Sequence, residues 1–321
     1  MNFVRRLAMA CAIGLVALQP ALAQNYPSRP IRFIIPFAPG GATDIMARMV
    51  GQKLTEAWGQ PVLVDSKPGA NGIIASEAAA KAAPDGHTVM LAVLSTHATN
   101  VSLYSKLPYD PVRDFTPVVL MAYTPLVLVV PAAAPHKSVK DLVDAAKARP
   151  GSLNFSAGTA TIHLTGELFK LVTGTSIVAV PYKGTAPGLM AVISGEVNFT
   201  FEPPVTALPQ IGGGRVRALA VTSPQRSPLL PDVPTALEAG LPAFEAYSWL
   251  GIVMPAGVPP EVAAKMQNEV LRILQLADVK EKMAATGLDP LPMSGERFAA
   301  FIKAETDKWA RTIKASGMKI E

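Results

Sequence analysis

Cysteine is almost absent from the 321-residue chain, Cys11 being the only one. It lies upstream of an expected cleavage site, so the processed protein is expected to have no disulfide, thiol nucleophile or thiolate metal ligand. Apolar runs are short as well. The longest near the N-terminus is Leu7 to Leu18, and no later stretch approaches the roughly 18 residues needed to cross a bilayer. Aromatic residues make up 6% of the chain, and the lysines and arginines are scattered, without the basic, aromatic-studded stripe of a nucleic-acid surface. Neither GxxxxGK[ST] nor GxGxxG occurs, which removes the mechanical signature of nucleotide binding. His87, His97, His136 and His163 show no metal-ligand spacing, so no metal and no cofactor are expected.

The N-terminus supplies an address. Arg5 and Arg6, the apolar run and Ala21-Leu22-Ala23 match a secretory signal peptide over residues 1–23, cleaved after Ala23. Loss of the two arginines shrinks an already slight basic excess, 29 Lys and Arg against 24 Asp and Glu. An exported chain of this size without disulfides must be held by its cores, and it is long enough for two.

Strand and helix signals alternate through the remainder. Ile31 to Ile35 reads as a buried strand, followed by a Pro/Gly loop and an amphipathic helix with Ile45, Met49, Leu54 and Trp58 at helical spacing, capped by Thr43 or Asp44 and stopped by Gly59. Further strands are expected at 61–65, 89–94, 125–130, 153–155, 178–181, 197–201, 216–222 and 249–254. Helices are expected at 73–83, 139–149, 163–172, 261–285 and 296–316, with one more ending at Ser194. Such alternation predicts an α/β protein with mixed, mostly parallel sheets flanked by helices. The Pro-rich stretch 223–247 reads as a tether and 249–254 as a strand returning to the first domain. That places one lobe at 24–124 plus 248–321, the other at 125–247, and two chain segments in the hinge.

Three loops of similar composition each follow an apolar strand and precede a helix: Pro36 to Asp44, Ser156 to Thr161, and Tyr182 to Pro187. Ligands of open α/β sheets gather at such strand ends, where glycines admit a close approach and helix N-terminal amides favour an anion. Lys183 could meet a carboxylate at one of these mouths, and Glu202 could supply an acid at the same rim. Asn154 to Gly158 approximates the G-x-S-x-G elbow of serine hydrolases, making Ser156 a candidate nucleophile, but His163 follows it without an intervening acid. An exported hydrolase and a ligand-sensing receptor for a signalling partner are therefore the alternatives to a solute-binding protein.

Longer motifs carry a resemblance: YPSRPIRFIIPFAPGGATD (26–44), KPGANG (67–72), AAPDGHT (82–88), SLYSKLPYDPVRDFTPV (102–118), PYKGTAP (181–187), RALAVTSPQRSPLLPDVPT (217–235) and KWARTIKASG (308–317). In this order they resemble the Bug family, periplasmic substrate-binding components of tripartite tricarboxylate transporters. The resemblance implies a two-lobed periplasmic-binding-protein fold of type II character, without catalysis, that closes on a small organic carboxylate and works as a monomer with small and large integral-membrane subunits. It also implies ligand contacts at Phe37, Ala38, Gly41 and Asp44 on one lobe and at Ser156, Gly158, Thr159 and Thr161 on the other. Ser95 and His97 match the loop after the third strand, and Lys183, Gly184 and Thr185 the second rim. The chain departs from the family pattern at Ala191, Asn198 and Glu202, where aspartate is common.

Overall fold

The computed structural model describes residues 26–182, 184–242 and 244–319. The expected signal peptide, Cys11 and Lys183 lie outside them. The chain order is β1 (Ile31–Ile35), α1 (Ala42–Trp58), β2 (Val62–Ser66), α2 (Ile73–Ala80), β3 (Thr88–Val93), α3 (Asn100–Leu103) and β4 (Phe115–Pro125). It continues with β5 (Val127–Pro131), α4 (Val139–Ala148), β6 (Asn154–Ala157), α5 (Ala160–Thr173), β7 (Val178–Pro181), α6 (Thr185–Ile193), β8 (Thr200–Glu202), α7 (Pro204–Gly212) and β9 (Val216–Val221). Last come β10 (Tyr247–Pro255), α8 (Pro260–Ile273), α9 (Ala277–Ala285), β11 (Asp289–Ser294) and α10 (Gly295–Ser316).

One sheet has six strands in the order β11-β4-β10-β3-β1-β2. Side chains alternate across it, because successive residues of a strand point to opposite faces. Ile31, Phe33 and Ile35 join Met46, Val50, Leu54, Met266 and Val270 under α1 and α8. Ile34, Met90 and Trp249 face the other way, into a core with Ala75, Phe298, Ile302 and Trp309 under α2 and α10. Burying one such large side chain contributes about 1.5–3 kcal/mol. Gly251 allows the close approach of α10, since a Cβ there would lie 2.3 Å from the Phe298 ring.

The second group of strands is β8-β5-β9 and the pair β6-β7, tied by a parallel bridge between Phe155 and Phe199. Phe155, Phe169, Phe199, Phe201 and Phe244 pack there with centroids of neighbouring rings 5.5–5.9 Å apart, mostly tilted or edge-on. This core is continuous with the one under α10.

The α/β fold with two groups of strands and mixed sheets is as expected, but antiparallel pairings outnumber parallel ones. β1 pairs in parallel with β2 and β3, whereas β3-β10, β10-β4 and β4-β11 are antiparallel. β4 and β11 were not expected. The apolar run 115–131 serves two strands in two sheets with its break at Leu126, so only its second half reads as a strand. β11 contains Pro290 and Pro292, which normally argue against a strand; it is tolerated at the sheet edge, where the register shifts between Pro290 and Met293. The long helix expected over 261–285 is broken by extended Leu276, and Gly287, at φ 70°, ends α9 and turns the chain into β11. The segment 223–246 is packed down through Leu230, Ala236, Leu241 and Phe244 rather than being a loose tether.

Thr222 ties together the two places where the chain passes between sheets. Its hydroxyl accepts from Leu126 N at 2.8 Å and donates to the Ala246 carbonyl, its amide donates to Leu126 O at 2.9 Å, and its carbonyl accepts from Ala246 N at 3.3 Å. Thr222→Val keeps the shape and strands the buried Leu126 amide, so it is expected to cost about 1–3 kcal/mol. The denaturant midpoint, compared at unchanged slope, measures the loss.

Candidate functional site

A cleft of about 440 Å3 opens where the two groups of strands meet. Its floor is Thr124 and Ser248, register partners on β4 and β10 just before the crossings. One wall is the β1-α1 loop with Phe37, Gly40, Gly41, Ala42, Thr43 and Ile45, and the opposite wall is Pro203, Pro204 and Val205 at the start of α7. A larger depression of about 590 Å3 runs along α8 beside Trp58, but it involves none of the strand-end loops.

The α1 wall is built to donate. Gly40 adopts φ 92°, a left-handed conformation that favours glycine, and delivers Gly41 as the N-cap. Thr43 and Asp44, the expected caps, sit inside the first turn instead, and Gly41 has no side chain with which to cap. The first intrahelical bond is Ile45 N to Gly41 O at 3.0 Å, so the amides of Ala42, Thr43 and Asp44 precede it at the positive end of the helix. The Asp44 carboxylate turns aside: it accepts from Arg48 at 2.8 Å and from Gly40 N at 3.0 Å. The Arg48 guanidinium, with that amide, holds its carboxyl below the usual range. Ser66 Oγ anchors the loop by donating to Phe37 O at 2.7 Å. Ala38 is exposed and lies outside the cleft lining.

The facing wall is poor in donors. Pro204 has no N-H, and the amides of Thr206 and Ala207 already donate to Pro203 O at 3.1 and 3.0 Å, which leaves Val205 N. On the floor, the Thr124 hydroxyl is shielded from solvent and has no partner.

The expected second-rim residues come together elsewhere. Gly184 N donates to Gly158 O at 3.0 Å, and a Cβ on Gly158 would lie 2.3 Å from Gly184 O, so the β6-α5 and β7-α6 loops touch. Thr159 caps α5 by accepting from Ile162 N at 3.3 Å, and Thr161 O accepts from Thr165 at 2.8 Å. Thr185 opens α6. None of these residues lines the cleft.

Ser156 is fully buried and donates to Thr200 Oγ1 at 3.2 Å; a Cβ on Gly188 would lie 2.3 Å from its Oγ. His163 turns to Glu167, 3.7 Å away, so the residues of a hydrolytic triad are not assembled. Glu202, expected at the rim, is fully buried beneath the Pro203–Val205 wall, where Thr206 donates to it at 2.8 Å and Thr200 at 3.5 Å. Ser95 is buried with its hydroxyl unpartnered. His97 is wholly buried against Phe115, its Nδ1 2.9 Å from Thr96 Oγ1, and burial pushes its pKa down to about 3. Both lie outside the cleft lining.

Of the three departures from the family pattern, Ala191 is core and Asn198 forms a reciprocal pair with Asn154, at 2.8 and 2.9 Å. Among the expected residues, Phe37 and Gly41 line the cleft. Sequence reasoning missed Thr124, Ser248 and Pro203 to Val205. The last follow an apolar strand and precede a helix, the same arrangement as the three chosen loops, but lack the glycine and hydroxyl composition used to pick those.

The chain is similar to known proteins over nearly its whole length. Residues 46–318 match the family model described as the tripartite tricarboxylate transporter family receptor. The chain belongs to that family. Protein BugT of Bordetella pertussis is 37% identical over all of both chains. The structure of Rpa4515 from R. palustris with adipate is 36% identical with a TM-score of 0.77, and the match covers 92% of this chain and 99% of that one. MatC from Rhodopseudomonas palustris, solved with bound malate, is 32% identical with a TM-score of 0.73 and covers 90% and 100%. Members of the family are periplasmic solute receptors and not enzymes, so this chain is a receptor. Among the described residues no helix is long and apolar enough to cross a membrane.

Burial pushes the Glu202 pKa up to about 7, against an ordinary 4.5. Between those values the folded protein keeps a proton that the unfolded chain releases, so this group costs stability as pH rises through that window and no more above it. Glu202→Gln removes the dependence. The stability of the variant relative to the parent is expected to rise from pH 4.5 to 7 and to be flat beyond, as read from denaturation midpoints across pH.

Proposed function

We propose that the cleft between the α1 N-terminus and Pro203–Val205 is where this receptor captures a small organic carboxylate. The observation that carries this reading is the uncapped start of α1, whose free amides border a cleft to which both groups of strands contribute. Adipate and malate in the two relatives support a carboxylate as the class. The Gly41, Ala42 and Thr43 backbone grips the carboxylate, as helix N-termini hold anions. Phe37 covers it from the mouth.

Residues 24–124 with 248–321 act as one lobe and 125–247 as the other, pivoting at the Thr222-tied crossings. A ligand that touches both walls favours the closed form by its differential affinity. The leader 1–23 is removed on export after Ala23. The mature receptor works as a monomer and hands its cargo to the small and large membrane subunits of a tripartite transporter.

Ligand-stripped protein is expected to melt higher with a bound acid, by the equivalent of about 2.7 kcal/mol at a hundred times Kd. Thermal shift backed by calorimetry over mono-, di- and tricarboxylates tests it. A broad panel that produces neither shift nor heat sinks the reading.

A further inference from the structure

The cleft also says what kind of acid it takes. Resting on the reading above, we propose that the cargo carries one carboxylate on an otherwise apolar body, an aliphatic chain or an aromatic ring, and neither a second carboxylate nor an ammonium group.

The two walls differ in chemistry. The α1 wall presents amides that precede the first intrahelical bond, enough for one carboxylate. Opposite it, Pro203, Pro204 and Val205 offer rings, a branched side chain and a single uncommitted amide. Between the walls the surface is largely Ile45, Val93, Leu250 and Ala285, with the three hydroxyl residues Thr124, Ser248 and Thr286 as its only side-chain polar groups. A second carboxylate at that end would give up its water for few partners, at a cost that apolar atoms do not incur.

Charges fit the same cargo. Among the described residues no Lys, Arg, Asp or Glu lines the cleft. The two nearby acids that could receive an ammonium group are committed, Asp44 to Arg48 and Gly40, and Glu202 to Thr206 and Thr200 beneath the wall.

The mouth adds an independent observation. Phe37 on one lip is 38% exposed and Val205 on the other 69% exposed, large apolar side chains left in water on the two walls. Closure over an apolar body removes both from solvent, which stabilises the closed form; closure over a charged end forfeits that gain.

Hexanoate and adipate, each with six carbons and differing by one carboxylate, isolate the point. Calorimetry on the full, ligand-stripped protein is expected to show hexanoate or benzoate binding at least about tenfold tighter than adipate, malate or aspartate, the scale of a poorly compensated polar end. Tighter binding of adipate, malate or aspartate overturns the inference and leaves the carboxylate receptor standing. Silence from every acid removes both. Val205→Asp, at a site exposed enough to leave the unliganded melting temperature unchanged, is expected to weaken hexanoate by a similar factor. An unchanged hexanoate affinity in that variant takes the apolar lip out of the site and refutes the assignment.

Discussion

The antiparallel pairing of β10 with β4 is the constraint on which the rest depends. A chain that leaves the first sheet after Pro125 must return at Tyr247 directly beside it, because these two residues are register partners. The crossings are therefore neighbours, and Thr222 can bond to both Leu126 and Ala246 with its side chain, its N-H and its C=O. The next register pair, Thr124 and Ser248, becomes the floor of the cleft. Fold and cleft thus share one seam of hydrogen bonds: what joins the two groups of strands also forms the floor of the cleft between them.

Around that seam, three strand-loop-helix units of similar arrangement but different local sequence end in different chemistry. At α5 the Thr159 hydroxyl accepts from Ile162 N, so part of the helix end is already satisfied. At α7 proline removes a donor, and Pro203 O takes up two of the following amides. At α1 a glycine occupies the cap with no side chain to offer. Of the three, the last leaves the whole of its first turn of amides for something outside the chain. A buried hydroxyl-carboxyl line, Ser156 to Thr200 to Glu202 to Thr206, supports the α7 wall from beneath by satisfying polar groups that would otherwise be costly inside the protein.

Much of this architecture was legible in the sequence. β1 and β7 fall at the expected residues and α1 stops at Gly59, because short apolar runs bounded by Pro or Gly and a left-handed glycine cap are local signals. β4 and β11 were hidden for a nonlocal reason, since their acceptance depends on neighbouring strands. The site was half legible. Phe37 and Gly41 sit in the loop whose composition announces an anion pocket, but composition does not separate Gly41 from Thr159, as a cap is decided by whether a hydroxyl turns back on its own helix. Glu202 could be placed at a strand end but not assigned a side of it, and the inward turn makes it a buried carboxyl rather than a rim charge.

The position of α10 limits how such a receptor moves. It lies on the face of the six-stranded sheet opposite α1 and α8, and its Ile302, Trp309 and Ile313 belong to the core that runs on into Phe169, Phe201 and Phe244 of the second group. Opening that side would expose a continuous apolar surface at about 25 cal/mol per Å2, whereas the α1 side holds a water-accessible cleft with Phe37 and Val205 at its mouth. For the two lobes proposed above, a pivot with α10 at the closed edge and the cleft at the open one would therefore cost least. Thr222 stands at the crossings between the sheets, so on the proposed hinge the bonds that hold the sheets together would lie on the axis of closure.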